Sequence, residues 1–276
     1  MKTLLIPTED HDSMPAVLEG ARLLAQAFDS YMEGFAVRPS LGTYVAVEPL
    51  SGVAIAGAYR GDAPMQARAL FEAFMQQHGV PRAGDGPARL SYGWPQAEGF
   101  DDTRIGSYGR VFDVIALGRP GPDAQNPRMA PLEAALFDSG RPVLMVPSSA
   151  PKTLGRNILV AWNNSAEQAR VNSYALPLLH KAERVTVLTV EGNLAPGLSG
   201  EDAALHLRRH AIKAEALSVK SGKTAPGAVI LEQARTLGCD LLVKGAYTQN
   251  RIRQIIFGGA TRHILENATL PVFLAH

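Results

Sequence analysis

The chain closes with Asp240-Leu-Leu-Val-Lys-Gly245, a polar loop over 246–254, Ile255-Ile-Phe-Gly-Gly259, a helix-like 260–267 and Pro271-Val-Phe-Leu-Ala-His276. The apolar runs, the helical spacing and the glycines predict strand, loop, helix, strand. A glycine ends the first strand and a glycine pair opens the helix. Free backbone N–H groups at the helix start then point at the carboxyl end of a strand, a place that favours anions, usually phosphate.

An earlier part of the chain has the same layout. Asp113-Val-Ile-Ala-Leu-Gly118 aligns with Asp240–Gly245, and Arg141-Pro-Val-Leu-Met aligns with Leu270-Pro-Val-Phe-Leu. Between them, Pro147-Ser-Ser-Ala-Pro-Lys152 has the composition of a linker. This weak internal repeat predicts two α/β domains, over 1–147 and 153–276.

Each half alternates apolar runs with helical patterns, which is typical of a doubly wound, Rossmann-like parallel sheet with helices on both faces. In the first half the predicted strands are 4–6, 31–37, 89–94, 111–118 and 142–146, and the helices are 13–28, 62–79, 101–110 and 129–137. In the second half the strands are 157–161, 184–190, 214–219, 240–245 and 271–276, and the helices are 166–181, 201–211, 227–237 and 260–267. The glycine-rich stretch 38–60 is predicted to be a long loop.

Bulk composition excludes several classes of protein. A net charge of +1 argues against a nucleic-acid-binding protein, and the single Cys239 excludes an intrachain disulfide. Only Leu4, Leu5 and Ile6 are consecutively apolar before Pro7, and no apolar run is long enough to span a membrane. We therefore expect a soluble cytoplasmic protein without membrane or nucleic-acid partners.

The closing stretch resembles the nucleotide loop of the universal stress protein family. Its nucleotide-binding members carry Gly, two residues, Gly, nine residues, Gly and then Ser or Thr between the fourth strand and the last helix. Here Gly245, Thr248, Gly258 and Gly259 reproduce that spacing, with Thr248 in place of the second Gly and Gly259 in place of the Ser or Thr. Thr261 is a candidate for the missing hydroxyl. The resemblance extends over nearly all of the chain, in the family's tandem form.

The resemblance also supplies positions near the adenosine. Asn163 stands where the family has an Asp after the first strand, and it keeps a hydrogen-bond acceptor without the charge. Trp162 would either stack on a base or block it, and the backbone of Val190 would read the adenine. The resulting candidate nucleotide site is Ala161, Trp162, Asn163, Val190, Gly245, Tyr247, Thr248, Arg251, Gly258, Gly259, Ala260 and Thr261.

The corresponding positions of the first half depart further from the family. Glu9 occupies the Asp position, and Pro131 stands where the third glycine should be. Prolines at 120, 122, 127 and 131 remove N–H donors that a phosphate needs. The first half is therefore predicted to be a degenerate domain that does not bind nucleotide.

The resemblance implies a stress-response protein that binds ATP or AMP, with Mg, and that hydrolyses ATP slowly at most. It also implies an intramolecular pseudo-dimer of two five-stranded sheets in which strands 143–146 and 272–275 pair, as a monomer with pseudo-two-fold symmetry or a homodimer. The alternative is a ligand-free module, with no cofactor, that binds an unknown protein partner. A nucleotidyl-transferring enzyme lacks its motifs here.

Three other groups have ordinary explanations beside functional ones. Lys244 ends a buried strand, where it reaches a phosphate or a carboxylate, or extends to solvent. His206 and His210 lie one helical turn apart, but a solvated helix face explains them better than a metal pair. The acidic cluster Glu9–Asp12 suits a helix start.

Overall fold

The computed structural model describes residues 1–38, 63–95, 100–123, 126–191, 197–246 and 259–276. The chain divides into two compact units, Met1–Arg141 (unit 1) and Pro142–His276 (unit 2). Strand 143–146, which closes the first half in sequence, groups with unit 2. Among the described residues, no helix is both long and apolar enough to cross a membrane.

Unit 1 is an α/β structure with a parallel sheet. Its elements are β1 (Thr3–Thr8), α1 (Met14–Phe28), β2 (Tyr31–Arg38), α2 (Ala63–Gln77), β3 (Ser91–Gly93), β4 (Phe100–Asp101), α3 (Asp102–Gly109), β5 (Val114–Gly118) and α4 (Met129–Asp138). The strands pair in the order β3-β2-β1-β5, all parallel, and the short β4 pairs with β2. The strand β5 is buried along its whole length, as expected in a parallel sheet whose two faces are both covered by helices.

Unit 2 contains β6 (Val143–Val146), β7 (Asn157–Trp162), α5 (Ala166–Lys181), β8 (Arg184–Glu191), α6 (Gly200–Arg209), β9 (Ala214–Lys220), α7 (Pro226–Thr236), β10 (Leu241–Gly245), α8 (Gly259–Asn267) and β11 (Val272–Ala275). Five strands form a parallel sheet in the order β9-β8-β7-β10-β11. The strand β6 pairs antiparallel with β11, with Leu144 opposite Phe273. The predicted α/β class and the pairing of strands 143–146 and 272–275 are confirmed.

One predicted strand begins later than its sequence suggested. Val111 and Phe112 form a turn after α3, in which the Phe112 N–H donates to the Gly109 carbonyl and Val111 is 74% exposed. The Asp113 carboxylate accepts hydrogen bonds from the backbone N–H groups of Lys2 and Thr3. The apolar residues 111–112 therefore precede the strand, which starts once Asp113 has fixed the chain beside β1.

The order of strands in unit 2 creates a switch point between β7 and β10. From β7 the chain continues to β8 and β9 on one side, whereas β10 and β11 lie on the other side. Right-handed connections then place α5 and α8 on opposite faces of the sheet, and their ends separate where β7 and β10 meet. Ligands of open α/β sheets bind in the crevice at the carboxyl ends of such strands.

The position of β6 predicts how unit 2 behaves as a fragment. Residues 142–276 keep β6, whereas residues 153–276 leave the edge of β11, with its buried Val272 and Phe273, unpaired and exposed. We expect the shorter fragment to unfold at a lower temperature and to self-associate. Circular dichroism melting and light scattering measure both properties. Equal melting temperatures and equal masses would contradict the assignment of β6 to this unit.

Candidate functional site

The predicted nucleotide positions of unit 2 converge on the switch point. Ala161 and Trp162 end β7, Asn163 follows at once, and Gly245 ends the adjacent strand β10. The register of β7 with β8 ends at the pair of Trp162 with Thr189, one residue before the buried Val190. The backbone of Val190 therefore extends past the end of β7. The structure brings these described positions to one edge of the sheet.

Asn163 presents a hydrogen-bond donor to this edge. Its Oδ1 accepts from the backbone N–H of Ser165 at 3.3 Å and lies 2.9 Å from the Ser165 hydroxyl. Because a backbone N–H can only donate, the oxygen of the amide must face Ser165. The NH₂ group is therefore the part of Asn163 that remains for a ligand, whereas the sequence suggested an acceptor.

Trp162 is directed by a hydrogen bond to the segment before α6. Its Nε1–H donates to the Leu198 carbonyl at 3.1 Å, and its ring is half-buried. The indole ring thus lines the space between α5 and α6. The ring therefore lies on the face of the sheet that α5 and α6 cover, beside the end of β7.

Gly245 is required by packing. A Cβ at residue 245 would lie 2.5 Å from the backbone nitrogen of Gln168 and 2.7 Å from the carbonyl carbon of Glu167, so the first turn of α5 leaves no space for a side chain. The Gly245 N–H donates to Gln168 Oε1 at 2.8 Å, and the Ala246 N–H donates to the Ala275 carbonyl at 2.8 Å. Both N–H groups at the strand end are therefore engaged within the protein.

Gln168 is a site residue that the sequence analysis missed. It is fully buried, and its amide joins Gly245 to Asn172, to which Nε2 donates at 2.9 Å. The spacing Ser165-x-x-Gln168 after β7 matches a capping box, and Ser165 Oγ does accept from the Gln168 N–H at 3.1 Å. That pattern was available in the sequence. The hydrogen bond between the Gln168 side chain and Gly245 of β10 could not be predicted from the sequence.

The start of α8 contributes an open surface. Gly259 is its first residue, and a Cβ there would have no neighbour within 4 Å among the residues that the structure describes. Ala260 is half-buried and Thr261 is buried. The first turn of a helix carries N–H groups without intrahelical partners, and they attract anions. The remaining predicted site positions, Tyr247, Thr248, Arg251 and Gly258, lie outside the described residues.

Lys244 is a buried cation at the same strand end. The residue is 3% exposed, so its side chain does not reach solvent, and Nζ donates to the Gly245 carbonyl at 2.9 Å. Burial lowers the pKa of Lys244 to about 8, and attraction to Glu167 opposes this shift. Within the described part of the chain this buried ammonium has one carbonyl partner, and such a charge is an electrostatic cost that a nearby anion would relieve.

In unit 1 the position that corresponds to Asn163 is Glu9, which belongs to an ion cluster. Glu9 follows β1 and receives hydrogen bonds from Arg128 at the start of α4, one of them from Nε at 2.7 Å. Arg128 also forms two parallel hydrogen bonds to Asp102, at 2.7 and 2.8 Å. Burial raises the pKa of Glu9, and the guanidinium lowers it part of the way back. The sequence analysis identified Glu9 but missed Arg128 and Asp102.

Proline also fills the end of β5 in unit 1. A Cβ at Gly118 would lie 2.4 Å from the Pro127 ring and 3.3 Å from Val17. Gly118 thus accommodates a proline ring, whereas Gly245 in unit 2 accommodates a helix backbone. The two strand ends have the same glycine for different packing reasons.

No metal centre is assembled by the part of the chain that the structure describes. No group of three or more His, Cys, Asp or Glu side chains is placed there to hold an ion. The rings of His206 and His210 lie 4.9 Å apart in an edge-on contact on the exposed side of α6.

Comparison with known proteins identifies the second unit. The model of the universal stress protein family matches residues 155–276. This segment is similar to a universal stress protein domain. A comparison with curated proteins gives no significant match. The universal stress protein domain contains β7–β11 and α5–α8, and thus every residue of the candidate site.

Solved structures share this fold. The chain is similar to a universal stress protein from Archaeoglobus fulgidus DSM 4304, with 15% identity and a TM-score of 0.71 over 99% of this chain and 97% of the other. It is also similar to a functionally unknown protein, PA1789, from Pseudomonas aeruginosa PAO1, with 14% identity and a TM-score of 0.54 over 100% of this chain and 92% of the other. At these identities the similarity establishes the fold.

The buried Lys244 makes stability depend on pH. Because its pKa is about 8 in the folded chain and 10.5 ordinarily, the unfolded chain binds more protons between these values. We expect Lys244→Met to be more stable than the parent by up to about 3 kcal/mol below pH 8, with the difference vanishing above pH 10.5. Urea titrations across this range measure it. Exposed Lys220→Met should show no such trend, and a pH-independent difference at Lys244 would refute the burial argument.

Arg128 holds two carboxylates in unit 1. Arg128→Ala leaves Glu9 and Asp102 without their counter-charge, and we expect a loss of about 3 kcal/mol in the free energy of unfolding near pH 8. Because the folded pKa of Glu9 is raised, its proton is taken up at mildly acidic pH and the loss should shrink towards pH 5. Urea unfolding at both pH values is the measurement. Exposed Arg89→Ala should be neutral, and an equal loss at both pH values would argue against the ion cluster.

Proposed function

We propose that the universal stress protein domain of unit 2 binds an adenine nucleotide, ATP or AMP, in the crevice between the carboxyl ends of β7 and β10. Two observations carry this proposal: no described residue lies within 4 Å of a Cβ at Gly259, the start of α8, and the end of β10 holds a buried ammonium. A helix start and a cation favour the same ligand, a phosphate group. The chain would act as a cytoplasmic stress-response regulator.

Two charges support a phosphate near α8. The first-turn N–H groups of α8 carry a partial positive charge, and Lys244 Nζ lies 2.9 Å from the carbonyl of Gly245, where the loop to α8 begins. An anion near this ammonium would stabilise its charged form and raise its pKa towards the ordinary value. Nucleotide affinity would then fall as pH rises above 8, as Lys244 loses its proton.

The adenosine end would lie at β7 and β8. The Asn163 NH₂ would donate to an oxygen of the adenosine, at the position where the family's binding members have an Asp. The Val190 backbone, one residue beyond the register with β7, would face the base. Mg would accompany ATP on the phosphates. No dedicated catalytic group is proposed, so hydrolysis would be slow at most.

A second candidate is a ligand-free interaction module with a protein partner. It is favoured by the internal hydrogen bonds of the strand end, because Gly245 N–H is satisfied by Gln168 and Asn163 Oδ1 by Ser165. Groups that are already paired gain little from a ligand. For unit 1 we propose that Arg128, paired with Glu9 and Asp102, takes the place of a ligand.

A thermal-shift experiment separates the two candidates. With Mg-ATP at about 100 times the dissociation constant, one-site binding adds about 2.7 kcal/mol to the free energy of unfolding, which is roughly 5–10 °C in melting temperature. AMP and ADP are tested in the same way. We expect a shift with at least one of the three nucleotides, and the absence of any shift would favour the ligand-free module.

Gly259 offers a variant that tests the location without disturbing the fold. Gly259→Leu adds a side chain in open space at the start of α8, so stability should be retained while access of phosphate to the helix N-terminus is obstructed. We expect the nucleotide shift to be lost. Gly84→Leu in unit 1, where a Cβ also meets nothing within 4 Å, is the matched control and should keep the full shift. A shift that survives Gly259→Leu would place the nucleotide elsewhere.

A further inference from the structure

Unit 2 contains a cavity on the α5 and α6 side of the end of β7. It has a volume of about 500 Å³ and lies between the facing sides of α5 and α6, next to Trp162 and Leu198; we name it the α5–α6 groove. Its described lining comes from β7, α5, α6 and the segment before α6, and includes no residue of β10, α8 or β11. The volume is within the range of small-molecule sites. The groove therefore shares Trp162 with the candidate nucleotide site, but its other described lining residues lie outside that site.

The walls of the groove are largely apolar and open to solvent. The Trp162 ring and Leu176 line it from β7 and α5, and Leu198 and Leu205 line it from the α6 side. Leu198 is 63% exposed and Leu205 is 41% exposed, and they are two of the five large apolar side chains exposed among the described residues. The hydrogen bond from Trp162 Nε1 to the Leu198 carbonyl holds the indole in place. The apolar surface is thus preformed for a narrow apolar group.

The charge of the groove is concentrated at one end. Arg209 and His206 line it three residues apart, on one side of α6 near its carboxyl end. Within the described ranges Arg209 has no carboxylate at salt-bridge distance, whereas its neighbour Arg208 pairs with Glu201 at 2.5 Å. A guanidinium without a counter-ion beside an apolar wall suits a carboxylate, sulfonate or phosphate group.

The opposite end of the groove is neutralised locally. Asp202 lies seven residues before Arg209, about 10 Å along the helix. Its carboxylate accepts from the Ser199 N–H at 2.9 Å and from the Ser199 hydroxyl at 2.6 Å, as part of the cap of α6. The carboxylate is therefore occupied by the helix cap, and the unpaired charge of the lining is the cation of Arg209.

We propose that the α5–α6 groove binds a small anionic amphiphile, a single apolar chain or ring with one acidic head group. The apolar part lies against Trp162, Leu176 and Leu205, and the head group pairs with Arg209 beside His206. Among the described residues, a cation without a carboxylate partner lies at one end of a largely apolar cavity, which matches a molecule of one head and one tail. The occupant is a free monomeric molecule, not a membrane surface.

Trp162 can report on its own site. The chain has two tryptophans, and Trp94→Phe in unit 1 leaves Trp162 as the single tryptophan, whose emission is read with excitation at a wavelength that tyrosine does not absorb. The full-length variant is titrated with sodium decanoate below its micelle concentration. Decyltrimethylammonium and decanol carry the same chain with a cationic or neutral head. We expect decanoate to change the Trp162 emission saturably and to bind about tenfold more tightly than either, the factor of one charge-assisted hydrogen bond.

Charge reversal tests the head-group contact. Arg209→Glu should weaken decanoate about tenfold and reverse the preference in favour of the cationic amphiphile. Arg170→Glu, an exposed position on α5 outside the groove, has the same change of charge and should leave decanoate binding unchanged. If Trp94→Phe does not fold, calorimetric titration of the unaltered chain makes the same comparison.

Three results would overturn the proposal. They are equal binding of all three amphiphiles, decanoate binding that Arg209→Glu does not change, and binding to anionic lipid vesicles without binding of monomeric decanoate. Saturating Mg-ATP is added in a final titration. Displacement of decanoate would mean that groove and crevice are one site and would refute a separate site, whereas unchanged binding supports it whether or not the nucleotide binds.

Discussion

The close contact between the first turn of α5 and the end of β10 shapes the whole candidate site. It exists because residue 245 has no side chain, so the backbone of Glu167 and Gln168 lies where a Cβ would be. Gln168 then reaches Gly245 N–H and Asn172 from a fully buried position. This contact sets the position of α5 over the switch point, and with it the places of Asn163 and of the α5–α6 groove.

The two units share a strand order but differ in the groups that surround the glycine at the end of one strand. In unit 1 the strand β5, which ends in glycine, pairs with β1, and in unit 2 the strand β10, which also ends in glycine, pairs with β7. Unit 1 fills that place with the Pro127 ring and with Arg128 between two carboxylates. Unit 2 keeps an open start of α8 and a buried ammonium at Lys244. The charge of Arg128 in unit 1 is balanced by two carboxylates, whereas Lys244 in unit 2 has a single carbonyl partner among the described residues. This difference is the physical basis for proposing a ligand only in unit 2.

Much of this architecture could be predicted from local patterns. The period of apolar residues located nearly every helix and strand, since burial on one face of a helix or both faces of a strand leaves its period in the sequence. It failed at Val111 and Phe112, which are apolar but lie in a turn fixed by Asp113. Within the site, the positions of Asn163 and Gly245 followed from strand ends and a glycine. The direction of the Asn163 amide did not, because it depends on Ser165 as a hydrogen-bond partner.

The sequence by itself determined the α/β class, the repeat, and the edge of the sheet where polar residues gather, because these depend on periodicity and on glycine at strand ends. Only the tertiary structure decided which groups remain available there. Gln168 occupies the N–H of Gly245, Arg128 occupies Glu9, and Lys244 is buried instead of reaching solvent. Each outcome depends on contact with a residue distant in the chain or on the burial of the side chain. Neither the contact nor the burial can be read from the local spacing of residues.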